Sequence, residues 1–415
     1  MKMQFQKRRI HELIGAVGLI TDGDWVESKD QDPSGAVRLL QLADVGDGEF
    51  LNRSNRFLNA AKANTLRCTD LQPGDVLVAR MGDPIGKACV FPGLVQRCVT
   101  VVDVCIVRTD PAICHPQWLV SALNSPILRS TLTRLATGAT RARFPTSKFR
   151  ELEIDLPPLD IQFSEARKLD VCRATIKTAA EGIGEQLRSS ELLYKALFSL
   201  VFGGVTPISA GVTSQEEGAR GWTWHSLSEL ARLESGHTPS RRRPEWWGGK
   251  VPWLALPDIR KLHGKFAYET TENTNDAGIT NSSARMLPVG TVCVCRTASI
   301  GYVTILGKPM ATSQDFCNWV CDPNKLDPEF LMYAFMASQD ALRKLGSGAV
   351  HKTIYMPTIK TFQICAPEIA EQRCIARALH DRLTVAESLT TGLKVRLAEI
   401  ERLPQRLLAV AFGHG

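Results

Sequence analysis

The chain repeats itself, and that duplication limits the folds open to it more than any local motif does. Displaced by 210 positions, Leu197, Phe202 and Gly203 of ALFSLVFGG fall on Leu407, Phe412 and Gly413 of LLAVAFGHG. At the same offset Leu135, Gly138 and Ala139 fall on Leu345, Gly348 and Ala349, Leu152 and Ile154 on Phe362 and Ile364, Pro157 on Pro367, and Gln162 on Gln372. At an offset of 212, DPAICHPQWL (110–119) lies on DPNKLDPEFL (322–331), with Trp118 opposite Phe330. At 216 and 215, Arg80 meets Arg296 and Ile85-Gly86 meets Ile300-Gly301. The offset drifts only by loop-sized steps, so one half of the chain is a tandem copy of the other.

Each half divides in two. A globular piece with short β-like runs (VRLLQLADV, DVLVAR, TVCVC, CNWVC) and turn signals (DG, PG, GG) precedes a long segment of helical periodicity. The expected boundaries are a first domain at 1–157, a long helix at 158–203, a linker rich in Gly, Ser, Thr and Pro at 204–219, a second domain at 220–367, and a second long helix at 368–415. The expected class is α+β: two tandem α/β domains, each followed by a long helix.

The helical segments carry a seven-residue seam. Leu169, Ile176, Ile183, Ser190 and Leu197 recur in the first, joined by Arg173, Ala180, Leu187, Tyr194 and Val201. The second offers Leu379, Ala386, Leu393, Ile400 and Leu407 with Leu383, Thr390, Leu397, Pro404 and Ala411. Such a seam favours coiled-coil packing of one helix on the other, the alternative being a helix lying on its own domain. At 1.5 Å per residue each helix spans roughly 65 Å, too long for one domain of this size to cover. Gly182, Gly184 and Gly392 should weaken the helices, Pro404 should kink or end the second, and each Phe-Gly close should form a left-handed stop.

The 44% hydrophobic and 22% charged content suits a folded, soluble protein of two or three domains. No apolar run approaches membrane-spanning length and the first ten residues are not signal-like, so a cytoplasmic protein without membrane partners is expected, its twelve cysteines reduced. The net charge of +7 sits in the globular halves. Arg241, Arg242 and Arg243 precede Trp246-Trp247, and Arg260 and Lys261 follow; Arg141 and Arg143 of TGATRARFPTSK are matched by His351 and Lys352 of SGAVHKTIYMPTIK. With Lys148, Arg80 and its copy Arg296, these are the candidate nucleic-acid contacts, because basic side chains on Gly-flanked loops suit phosphates and base edges. Any one of them could instead be an ordinary solvated loop residue.

Catalytic signatures fail. GDPIGK (82–87) has one residue too few between its glycines for a phosphate loop and reads as a strand turn. Cys293, Cys295, Cys317 and Cys321 suggest a metal site, but the duplication puts Leu77, Ala79 and Thr109 opposite three of them, which favours core packing. No GxSxG, HExxH, paired CxxC, glycine-rich cofactor loop or aminomethyltransferase motif is present, so neither a catalytic centre nor a metal site is expected.

In order and in duplication, the blocks GHTPSRRRPEWWGGKVPWLALPDI, TVCVCRTASIG, ATSQDFCNWV, SGAVHKTIYMPTI and PEIAEQRCIARAL resemble the specificity (S) subunits of type I restriction-modification systems. ITDGDW, GAVRLLQLADVGDGEF and LPPLDIQ play the corresponding parts in the first half, with Asp160 and Ile161 departing from the Ala-Glu of PEIAEQ. The resemblance implies two target-recognition domains reading a bipartite, asymmetric site in double-stranded DNA. It implies that the helices pack as an antiparallel coiled coil with pseudo-twofold symmetry and hold the domains apart. Two methyltransferase subunits and restriction/translocase subunits would assemble on this chain. It would bind no cofactor itself, S-adenosylmethionine, ATP and magnesium belonging to those partners. A protein-binding adaptor and a DNA-modifying enzyme with atypical motifs are the competing readings.

Overall fold

The computed structural model describes residues 5–138, 141–211, 218–348 and 352–413. They form two compact units, one of residues 1–184 with 395–415 and one of residues 185–394. Each unit therefore combines one globular half with the first part of one long helix and the last part of the other.

The first unit runs β1 (Gln6–Arg9), β2 (Leu19–Asp22), β3 (Val37–Leu40), β4 (Phe57–Leu58), α1 (Ala60–Thr65), β5 (Val76–Ala79), β6 (Ala88–Val90), β7 (Cys98–Thr100), β8 (Val104–Arg108), α2 (Pro116–Leu123), α3 (Pro126–Leu135), α4 (Thr146–Arg150), β9 (Glu153–Leu156) and the start of α5 (Leu159–Val201). Its main sheet is antiparallel in the order β2-β8-β5-β6, and a smaller sheet, β4-β3-β7, pairs β3 with β7 in parallel. VLVA of β5 is apolar throughout because it is covered on both faces. Val76 and Val78 pack with Val107 and the α2 residues Trp118 and Leu119, whereas Leu77 and Ala79 pack with Cys89 and Ile106. GDPIGK is the β5–β6 turn, with the Gly86 N–H donating to the Ala79 carbonyl.

The second unit runs β10 (Ile208–Ala210), β11 (Thr223–Ser226), α6 (Leu227–Leu230), β12 (Ala231–Ser235), β13 (Trp247–Leu254), α7 (Leu256–Leu262), β14 (Phe266–Ala267), β15 (Glu272–Thr274), α8 (Asp276–Thr280), β16 (Val292–Cys295), β17 (Val303–Leu306), β18 (Ala311–Thr312), β19 (Phe316–Cys321), α9 (Pro328–Ala337), α10 (Gln339–Leu345), α11 (Met356–Ile359), β20 (Phe362–Ala366) and α12 (Ile369–Phe412). The order β12-β19-β16-β17 repeats β2-β8-β5-β6, and β15-β13-β18 repeats β4-β3-β7 down to the parallel pair. Cys293 and Cys295 pack on one face of the main sheet and Cys317 on the other, beside Val294, so these thiols do not converge. Burial pushes Cys295 up to about 11 and Cys317 up to about 12.

The long helices follow the seam. From Leu169 to Val201 every position on the seven-residue pattern is buried or half-buried, and from Leu379 to Leu407 likewise, with only Ala411 exposed at the end. Within the second unit the two helices meet where the Thr390 hydroxyl donates to Ser190 Oγ at 3.2 Å. Because the late turns of α5 share a unit with the early turns of α12, and the early turns of α5 with the late turns of α12, the helices run antiparallel. Two local expectations are corrected. Pro404 does not end α12, which continues to Phe412. Gly203 takes the left-handed stop at φ +59°, but Gly413 does not.

The closing phenylalanines show what the helix ends are for. Phe202 is buried in the second unit, edge-on to Trp222 and 5.8 Å from Phe330. Phe412 lies 5.9 Å from Trp118 in the first unit. Trp118 and Phe330 are repeat partners, so each helix ends on the domain that the other helix follows. At the opposite helix ends, Gln162 and Gln372 are buried copies of one joint. Gln162 accepts the His115 N–H (2.8 Å) and donates to Ile113 and Pro157 carbonyls; Gln372 accepts the Asp327 N–H (3.0 Å) and donates to Lys325 and Pro367.

Candidate nucleic-acid interface

The structure divides the basic candidates into those already engaged and those free. Arg80 closes β5 and is only 6% exposed. Its guanidinium donates to the Phe144 carbonyl (3.3 Å) and the Val102 carbonyl (3.2 Å) and pairs with Asp22 at 2.6 Å. Arg296 repeats the arrangement, donating to the Gln314 (3.0 Å) and Ile354 (3.3 Å) carbonyls. In both units the arginine backbone also pairs with the same two segments. Both guanidiniums are committed to two backbone carbonyls, and Arg80 to the Asp22 carboxylate as well, so Arg80 and Arg296 have fewer donors to offer DNA than a free arginine has. Their task is to fasten a hairpin loop.

That loop is bridged by Thr137 and Arg143 in the first unit and by Ser347 and Thr353 in the second. Arg141 is exposed just before Arg143 in the first and Lys352 just before Thr353 in the second, while Arg143 is tied to Asp103. His351 lies outside the described residues. Lys148 is exposed on α4, which follows the first hairpin. The Arg141 and Arg143 side chains, with Trp25, Gln41 and Met81, line an open cleft of about 980 Å³. Trp25 is 68% exposed with its indole N–H toward Glu27, and the same cleft carries Asp24 and Asp103 beside the two arginines. Base stacking uses such an exposed ring, and Arg141 is the cation of the cleft left for a phosphate.

In the second unit Arg241 is held rather than free. It grips Glu272 with two bonds of 2.9 and 2.6 Å, and its guanidinium lies 3.9 Å above the Trp247 ring and 5.0 Å from that of Trp253. The Arg241 partnership holds the Glu272 carboxyl below its ordinary range and raises the arginine in turn. This stack fixes the loop that displays Arg242 and Arg243 in solvent. Arg243 meets Glu245 at 3.5 Å, and the Arg242 side chain has no partner among the described residues. Among the described residues Lys261 is exposed and unpaired on α7, and Arg260 beside it makes one long contact, 3.4 Å, to Ser299 Oγ.

Other free cations escaped the sequence reading. Arg53, Arg56 and Arg67 are exposed with no side-chain partner among the described residues, whereas nearby Arg38, Lys62, Arg97 and Arg108 are all paired or stacked. Two arginines and two asparagines within NRSNR were the available signal.

A protein-family model described as the type I restriction modification DNA specificity domain matches residues 219–399. Among curated proteins, the chain is 28% identical over 160 residues to the type I restriction enzyme MjaIX specificity subunit of Methanocaldococcus jannaschii, and 33% identical over 113 residues to the HindI specificity subunit of Haemophilus influenzae. Residues 219–399 are thus similar to this specificity domain, and both relatives are type I specificity subunits. Those stretches span 38% and 27% of this chain and only 37% and 24% of the two relatives. The fold of these specificity subunits extends further. The HsdS subunit from Thermoanaerobacter tengcongensis superposes with a TM-score of 0.63 at 16% identity over 99% of this chain and 97% of its own. A chain from a structure described as the basis of complex assembly and conformational transition of the type I R-M system gives 0.77 at 16% identity, covering 99% and 98%. No helix among the described residues is long and apolar enough to cross a membrane.

Proposed function

We propose that this chain is the non-catalytic DNA-reading subunit of a type I methyltransferase/endonuclease complex. Each globular half reads one part of a bipartite, asymmetric duplex target, and the paired helices scaffold two methyltransferase subunits, to which restriction/translocase subunits add. S-adenosylmethionine, ATP and magnesium belong to those partners. The observation that carries this reading is one arrangement built twice, Arg80 and Arg296 each donating to carbonyls of the same two segments, with unlike exposed cations, Arg141 and Lys352, beside the bridging residues. One framework with two sets of side chains is what two different half-sites need. Free cations supply phosphate affinity, and those that reach base edges supply the sequence.

Exchanging residues 220–367 for the corresponding domain of another specificity subunit tests it. Methylation mapping of a genome expressing the hybrid with its methyltransferase should show one half of the motif replaced and the other retained. A motif unchanged by the exchange, or no motif from the parent chain, overturns the reading.

A further inference from the structure

Asp44 is fully buried and works as a clamp. Its carboxylate accepts the backbone N–H of Gln41 (2.7 Å), the backbone N–H of Ser54 (2.8 Å) and the Ser54 hydroxyl. Asp258 does the same in the second unit, accepting from Ala255 N–H (3.1 Å), Thr271 N–H (2.8 Å) and the Thr271 hydroxyl. The next strand is anchored at the same position in both, Leu58 opposite Val37 and Thr274 opposite Val251, although the first loop is one residue longer and Thr274 also pairs with Trp247 across a bulge. The frame on either side of Ser54 and Thr271 is thus common to the two units.

What stands on the frame is not. In the first unit Ser54 is flanked by Asn52, Arg53, Asn55 and Arg56; in the second, Thr271 is flanked by Glu269, Thr270, Glu272 and Asn273. Arg56 and Glu272 occupy the same strand register, with opposite charge. Glu272 is consumed by Arg241, whereas the side chains of Arg53, Asn55 and Arg56 are exposed and unbonded among the described residues. The loop is nevertheless fixed. Asn52 sits at φ +48°, and its side-chain oxygen accepts from Arg38, itself nearly buried and set against the Phe57 ring. On a loop pinned at both ends, the cost of ordering on binding is confined to the side chains themselves.

Given the DNA-reading role proposed above, on which this inference rests, we infer that the Asn52–Arg56 loop is a base-reading element for the half-site of the first unit. Arg53 and Arg56 suit the O6 and N7 acceptors of guanine, and Asn55 the N6 donor and N7 acceptor of adenine. The corresponding Glu272 position of the second unit, acidic and capped, makes no such contact.

The test uses the full chain assembled with its methyltransferase subunits and labelled duplexes carrying the motif mapped for the parent, each base pair of each half-site replaced in turn. The domain exchange above assigns the half-sites. Arg53→Ala, Arg56→Ala or Asn55→Asp should reduce discrimination at one or two base pairs of the first half-site by about 10-fold or more, with discrimination in the second half-site unchanged. Arg56→Lys should keep affinity for non-target duplex yet lose the same discrimination. Undiminished discrimination at every position overturns the inference, as does equal weakening on all duplexes, which marks phosphate contacts. A parent complex that prefers no duplex would instead sink the DNA-reading role itself. Should an arginine variant fail to assemble, Asn55→Asp decides alone, since that side chain bonds to nothing among the described residues.

Discussion

Gln372 satisfies three backbone groups from inside the fold, and no apolar side chain can replace it. Gln372→Leu leaves the Asp327 N–H and the Lys325 and Pro367 carbonyls without partners in a site 2% exposed. The expected cost is about 2–4 kcal/mol, read as a shift of the urea midpoint; an unchanged midpoint would show that the joint contributes nothing. His263 gives a second prediction at this scale. Its Nδ1 accepts the Val303 N–H at 3.1 Å, and burial lowers its pKa below the usual histidine value. The unfolded chain then binds the proton more readily than the folded one, so stability is full above about pH 6.5 and is lost as the pH falls below it. The melting temperature should drop between pH 7.5 and 5.5, and His263→Asn should flatten part of that drop.

The long helices are continuous despite the glycines within them. A methyl group added at Gly182 or Gly392 meets nothing within 4 Å, and neither glycine takes a left-handed conformation, so nothing in the packing asks for glycine there. Gly182→Ala and Gly392→Ala should each stabilise the fold by about 0.5–1 kcal/mol, detectable as a higher melting temperature. The helix ends behave differently, because each closes a remote domain. Phe202→Ala removes a buried ring worth roughly 3–5 kcal/mol and should loosen residues 220–367, although Phe202 follows residues 1–157 in the chain. Hydrogen-exchange mass spectrometry would show faster exchange in β16, β19 and α9 but not in β5 or β8. Phe412→Ala should invert the pattern more weakly, since its ring is only half-buried.

At the scale of the whole molecule, α5 and α12 each run through both compact units. If these helices set the separation of the half-sites, one heptad added to each at matching seam positions lengthens them by about 10 Å, or roughly three base pairs. Methylation mapping should then return both half-sites unchanged with a longer spacer, and an unaltered spacer would end the ruler idea. The duplication, the strand runs and the seven-residue seam were legible in the sequence because a two-residue strand period, a seven-residue helix period and an offset near 210 are properties of the residue order itself. Gln162 and Gln372 were visible only as matched letters, and the Asp44 and Asp258 clamps were not visible at all, since a carboxylate's partners come from segments that the fold alone brings together.

The basic residues divide along the same line. Residue order located the positive charge and its Gly-flanked loops, but it could not tell Arg80, Arg241 and Arg296, which are engaged by carbonyls or by a carboxylate, from Arg53, Arg56 and Arg242, whose side chains have no partner among the described residues. All are arginines, and only distance separates them. Sequence by itself determined that two copies of one domain alternate with two long helices. Tertiary structure decided that each helix ends on the other copy's domain, and which cations remain for a polyanion to find, because burial and pairing depend on neighbours that no local stretch of chain contains.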